Sequence, residues 1–157
     1  MVNNISKLLT SVIGCLAVGF LGSFATTPAI PTWYQTLNKP IFNPPNWIFG
    51  PVWTTLYILM GISLYLVWKK GFKNKKNKDA INLFLIQLGL NFIWSFIFFG
   101  FKNPQLAFVN IILLWAAIFI TILKFWKISK WATYLLIPYI LWVSFASILN
   151  LFIAILN

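Results

Sequence analysis

Apolar residues run through this chain in five long blocks, each bounded by lysine or proline. The blocks cover residues 8–27, 47–68, 80–101, 106–123 and 131–156. Each is close to the roughly 20 residues that an α-helix needs to cross the hydrocarbon core of a bilayer. The pattern predicts an all-α integral membrane protein, a bundle of five transmembrane helices forming one domain over residues 1–157. Lys7 opens the first block and Pro28 closes it; Lys69-Lys70 ends the second, Lys102 and Pro104 the third, Lys124 the fourth. The first block reads as a span and not a signal peptide, because no Ala-x-Ala-like site follows it. Residues 28–46 make the one long connector.

That connector is unusual. Prolines at 31, 40, 44, 45 and 51 fix φ and remove backbone donors, which keeps its first half out of regular helix. Trp33, Tyr34, Trp47, Trp53 and Tyr57 crowd the same stretch. Two physical readings fit. One is an interfacial aromatic belt, which needs only amphipathic rings at headgroup depth. The other is an aromatic-walled cavity closed by a stiff lid.

Polar side chains inside the blocks are candidate functional positions. Gln87, Asn91 and Ser95 share one face of the third span, with Trp94 beside them. Asn110 and Asn150 stand in the fourth and fifth, where interhelical hydrogen bonding is the favoured reading. The second span carries Trp53, Leu56, Tyr57, Met60, Gly61 and Leu64 on one face, the fifth Pro138, Trp142, Phe145, Ala146 and Leu149. Such stripes are ordinarily bundle core. Pro138 predicts a kink, since it cannot bond the carbonyl of Tyr134. Cys15, Gly19, Ser23 and Thr27 form a small-residue ridge on the first span, suited to close helix packing within the bundle or across a dimer.

Composition narrows the classes. Hydrophobic residues make up 61% of the chain and Asp79 is its single acidic residue. A soluble globular domain carries about 25% charged residues, and disorder needs low hydrophobicity; neither fits. The charge of +11 would suggest nucleic acid in a soluble protein, but here the lysines separate apolar runs and act as topology signals. No nucleic-acid partner is expected. Ten lysines (7, 69, 70, 73, 75, 76, 78, 124, 127 and 130) fall on one side and only Lys39 and Lys102 on the other. This predicts a cytoplasmic N-terminus with the 28–46 connector facing outward. The Lys69–Lys78 run also suits anionic lipid headgroups, although topology suffices to explain it.

Catalytic chemistry is thinly supplied. The one cysteine, Cys15, allows no disulfide within the chain, and there is no histidine. Acid/base pairs, Ser-His-Asp or Cys-His sets and metal-ligand clusters are missing from the sequence. No catalytic residue, metal site or resident cofactor is expected. Haem would find only Cys15, Tyr or Met as side-chain iron ligands, so a bound tetrapyrrole would be held by stacking and hydrogen bonds.

The chain resembles the translocator protein / tryptophan-rich sensory protein family. The resemblance rests on Trp33-Tyr34, Lys39-Pro40, Pro44-Pro45, Trp47, Gly50-Pro51-Val52-Trp53 and Leu56-Tyr57-x-x-Met60-Gly61. Further matches are Leu90-Asn91, Trp94-Ser95, Phe98-Phe99-Gly100, Pro138-Tyr139, Trp142, Phe145-Ala146 and Leu149-Asn150. It implies a membrane sensor or translocator that binds tetrapyrroles (porphyrin, haem) or similar large hydrophobic ligands in a cavity under the connector. The ligand-binding residues expected from it, together with the faces described above, are Tyr34, Pro44, Trp53, Tyr57, Asn91, Trp94, Ser95, Trp142, Ala146 and Leu149. It also implies a homodimer. Two other readings stay open: light- or oxygen-dependent porphyrin degradation using Trp53 and Trp142, and passive translocation of the same ligands. The chain departs from the family pattern at Asn110, where many members carry a carboxylate. It also has Leu151 and Ile155 where the cholesterol-recognition motif of animal members needs Tyr and a basic residue, so sterol binding is not carried over. These features suit a bacterial member in a cell membrane.

Overall fold

The computed structural model describes residues 3–157. Helix α1 (Asn4–Ala29) leads into a connector holding one short helical turn, α2 (Trp33–Thr36). A 3-10 turn at Asn46–Ile48 then feeds α3 (Phe49–Trp68), with Pro51 in its first turn. Helix α4 (Lys75–Ser95) is prolonged by a π-helical turn over Phe96–Gly100, and α5 (Pro104–Trp126) and α6 (Lys130–Leu156) complete the chain. All five long helices are long and apolar enough to cross a membrane.

The helix starts follow from side-chain capping. Asn3, Asn74 and Asn103 accept from the backbone N–H of Ser6, Lys76 and Leu106 at 2.7, 2.9 and 2.9 Å. Ser129 accepts from Ala132 N–H at 3.4 Å. Each satisfies a donor that the first turn leaves open. The Asn74 cap places Lys75, Lys76, Lys78 and Asp79 on the first turns of α4 and not in a loop, which the apolar pattern alone did not anticipate. Pro28 lies in the last turn of α1, one residue short of its end. Helix α6 stays helical through Pro138, which is exposed on the outside of the bundle, away from the cavity face.

The packing follows chain order except between α3 and α4, where α3 turns to α6 instead. α1 packs on α3, α3 on α6, α6 on α5, α5 on α4, and α4 returns to α1, closing a ring. The lysine-rich end and the middle of this ring are solid. Met60, Phe84, Phe125, Leu136 and Tyr139 are fully buried there, and the Phe84 and Phe125 rings stack at 5.8 Å. Glycine sets the α1–α3 spacing: a Cβ at Gly61 would stand 2.5 Å from Val12 Cα and 2.9 Å from the Ser11 carbonyl oxygen. Only hydrogen allows that approach. A second, smaller core of Tyr34, Phe98, Ala107, Leu149 and Ile153 closes the opposite end. Asn110 Nδ2 donates to Leu90 O at 3.0 Å, tying α5 to α4 by the interhelical bond its sequence position suggested.

Candidate ligand site

Between the two cores lies a cavity of about 530 Å³. That volume falls within the roughly 300–1,000 Å³ of small-molecule sites. It draws walls from α1, α3, α4 with its π turn, and α6, and nine of its lining side chains are aromatic. The rings contact one another in sequence. Tyr34 meets Phe49 edge-on at 6.5 Å, Phe49 meets Trp142 at 6.2 Å, and Trp94 stacks on Phe98 at 5.2 Å. Offset and edge contacts of this kind stabilise each pair by about 0.5–1.5 kcal/mol beyond burial. The π turn matters here: Phe98 and Phe99, both on it, reach the cavity together.

Tyr34 forms the roof. It is 3% exposed, and its hydroxyl donates to Asn43 Oδ1 at 2.7 Å. Asn43 Nδ2 in turn donates to the Pro44 carbonyl at 3.1 Å. Lys39 Nζ donates to the backbone carbonyls of Tyr34 and Leu37 at 2.7 and 3.0 Å, and stands 5.0 Å from the Tyr34 ring centre. One ammonium thus holds carbonyls left open where the short α2 turn ends. Burial pushes the Tyr34 phenol up to about 12, against the opposing effect of its bond to Asn43.

The inner wall is backed by a buried chain of hydrogen bonds. Tyr57 O–H donates to Asn91 Oδ1 at 2.5 Å, Asn91 Nδ2 donates to Tyr139 Oη at 3.0 Å, and Tyr139 O–H donates to Gln87 Oε1 at 2.8 Å. The wall itself offers little polarity. Ser23, Thr26 and Thr54 return their hydroxyl protons to carbonyls of their own helices at 2.6, 3.0 and 2.9 Å. Trp94 Nε1 donates to Asn150 Oδ1 at 3.0 Å, and Asn150 Nδ2 donates to Pro104 O at 2.8 Å, so the Asn150 amide is also occupied. Trp142 Nε1 has no partner. Such a wall offers apolar and stacking surface. Among the described residues no three His, Cys, Asp or Glu converge as a metal site.

The sequence matches the profile of the TspO/MBR family over residues 11–156. It is 50% identical over 154 residues to the tryptophan-rich protein TspO of Archaeoglobus fulgidus, covering 98% of this chain and 99% of that one. It is also 50% identical over 143 residues to the protein of that name from Chlorobaculum tepidum, covering 91% and 90%. The human translocator protein is 39% identical over 139 residues, covering 88% and 80%. The chain belongs to the TspO/MBR family. Its five spanning helices make it a multi-pass integral membrane protein of that family.

Of the residues the sequence singles out, Tyr34, Trp53, Tyr57, Trp94, Ser95, Trp142, Ala146 and Leu149 line the cavity together. Asn91 and Pro44 do not. Asn91 is 2% exposed and lies behind the Tyr57 ring, its amide committed to two phenols. Pro44 acts from the connector through Asn43. Sequence reasoning left out Phe49 and the α1 wall; it read Asn150 as an interhelical hydrogen-bonding residue, and Asn150 makes those bonds while also lining the cavity. The α1 ridge of Gly19, Ser23 and Thr27 was visible as a pattern, and the structure turns it inward onto the cavity and the Tyr57 ring. Tyr139, which joins Asn91 to Gln87, carried a family match but no polar pattern of its own.

Proposed function

We propose that this family member binds a tetrapyrrole or another large, flat hydrophobic ligand in the cavity beneath the 28–46 connector, as a membrane sensory or translocator protein. The observation that carries this is the aromatic, almost donor-free wall around about 530 Å³, roofed by the buried Tyr34. Stacking and burial favour flat aromatic ligands over polar ones. Titrating the purified protein with protoporphyrin and following tryptophan quenching tests the reading. Saturable quenching that Trp53→Ala and Trp142→Ala weaken supports it; quenching indifferent to both rejects it. Porphyrin recovered intact after illumination assigns binding alone, whereas loss that depends on those two tryptophans assigns oxidative degradation. Flux of the ligand into sealed vesicles separates translocation from sensing.

The ten-to-two lysine split supports a cytoplasmic N-terminus in a bacterial-type cell membrane. Asn77 is buried against the Lys70 and Gly71 carbonyls, so the exposed Lys73 is the position for a labelling cysteine. On a Cys15→Ser background, labelling of Lys73→Cys only from outside intact cells would reverse the orientation. A homodimer rests on the family resemblance alone, because the α1 ridge is used within the bundle; native mass spectrometry from mild detergent tests it.

A further inference from the structure

We propose that the lysine-rich end of the bundle holds a specific site for an anionic phospholipid headgroup, in a depression between the start of α4 and the end of α5. Lys75, Lys76 and Asp79 of α4 line it together with Lys124 of α5 and Lys127, which caps the end of α5, around about 420 Å³. The spacings explain the convergence. Residues 124 and 127 are one helical turn apart, as are 75 and 79 with 76 between them, so each set lies along one side of its helix. The Phe84–Phe125 stack, fully buried beside the depression, packs the two helices against each other. Lys76 Nζ donates to the backbone carbonyl of Lys127 at 3.0 Å, tying the two rims.

Four lysines and one carboxylate line the depression, and Asp79 is the single acidic residue of the chain. No other acidic side chain exists to complete the neutralisation. A topology signal requires only that lysines lie on one side of the membrane. It does not require lysines of two different helices to share one depression. Depth decides the source of the anion. Exposed Trp126 and Trp131 both meet Tyr134 edge-on at 5.9 Å at this end of α5 and α6, marking the membrane–water interface. Lipid phosphodiesters are concentrated at that level, and basic pockets between membrane helices suit them. A negatively charged lipid leaves the four lysines better neutralised than zwitterionic phosphatidylcholine, whose choline opposes them.

Native mass spectrometry of the detergent-purified protein with phosphatidylglycerol and phosphatidylcholine at equal amounts tests this. Wild type is expected to retain phosphatidylglycerol about tenfold over phosphatidylcholine. The variant Lys75→Gln/Lys76→Gln/Lys124→Gln/Lys127→Gln is expected to lose that preference. The control Lys69→Gln/Lys70→Gln/Lys73→Gln/Lys78→Gln removes the same charge from the same end and is expected to keep it. Should the first variant not fold, Lys124→Gln/Lys127→Gln leaves the Lys76 bond to a backbone carbonyl intact and is expected to lose most of the preference. Equal losses in site and control variants, or no preference in wild type, overturn the proposal. Displacement of the lipid by an equal amount of inorganic phosphate would assign the depression to free phosphate and overturn it too.

Discussion

Asn38 and Asn157 grip each other across the top of the bundle. The Asn38 N–H donates to Asn157 Oδ1 at 3.0 Å, and Asn157 Nδ2 donates back to Asn38 O at 2.9 Å. The pair fastens the connector to the far end of α6, while Phe42 packs edge-on against Phe152 of α6 at 5.3 Å. The connector over the cavity is therefore held by a polar clamp and an aromatic contact, both at the end of α6.

Removing the clamp should loosen the lid. Asn157→Ala deletes both bonds, which at this exposed site contribute about 0.5–1.5 kcal/mol together. The dissociation rate of bound protoporphyrin should rise about two- to tenfold, with the association rate less affected. Stopped-flow displacement measures both rates, and an unchanged dissociation rate would show that the clamp does not govern exchange.

Tyr34 should give closure of the connector a pH dependence. Burial raises its phenol to about 12, so a closed lid keeps the proton longer than an open one in which the phenol is solvated. A solvated phenol ionises near about 10. Below that pH both states are neutral and closure is unaffected. As pH rises from about 10 to about 12 the open lid loses its proton first, and closure weakens. Ligand dissociation should be flat up to about pH 10 and accelerate above it. Lys39 is the charged group facing the ring. The readout is therefore the difference between wild type and Tyr34→Phe, which retains Lys39 and should lack this component of the rise.

How much of this was legible in the sequence differs by element. The five spans were, because a run of apolar residues long enough to cross a bilayer has few alternative folds. The cavity's aromatic wall was largely legible too, through helix faces and the family motif. Asn91 was not: a polar residue on the right face of α4 can point at a ligand or at a neighbouring helix. The Tyr57 and Tyr139 hydroxyls that claim it come from 34 and 48 residues away. The lysine depression was legible only in part: consecutive helices α4 and α5 bring Lys75 and Lys127 to one end, but the apolar pattern does not say which faces of the two helices meet.

Helix approach at Gly61 should show in stability. Gly61→Ala puts a methyl group within 2.5 Å of Val12 Cα and must push α1 and α3 apart. Overpacking of this kind costs about 1–3 kcal/mol. Gly14→Ala, with nothing within 4 Å, should be close to neutral. Thermal unfolding in one detergent compares them, and equal midpoints would mean that the α1–α3 contact yields without cost.

The tryptophans and Asn91 separate binding from folding. Trp53 and Trp142 line the cavity, so truncating either removes contact with the ligand directly. Burial and stacking of one indole contribute about 1.5–3 kcal/mol, which corresponds to about tenfold or more in affinity. Trp68 and Trp126 stand at the lysine-rich end, Trp126 half exposed, and their alanine variants should bind within about threefold of wild type. Asn91→Ala should behave in the opposite way. It leaves the Tyr57 hydroxyl without its acceptor and takes one donor from Tyr139, both buried, at about 1–3 kcal/mol of stability. Its amide does not touch the cavity, so affinity should change by no more than about threefold. Porphyrin titration and thermal unfolding of all five variants distinguish the two behaviours. Affinity losses in Asn91→Ala as large as those in Trp53→Ala would mean that the hydrogen-bonded chain behind the wall, and not the indole surface, sets the strength of binding.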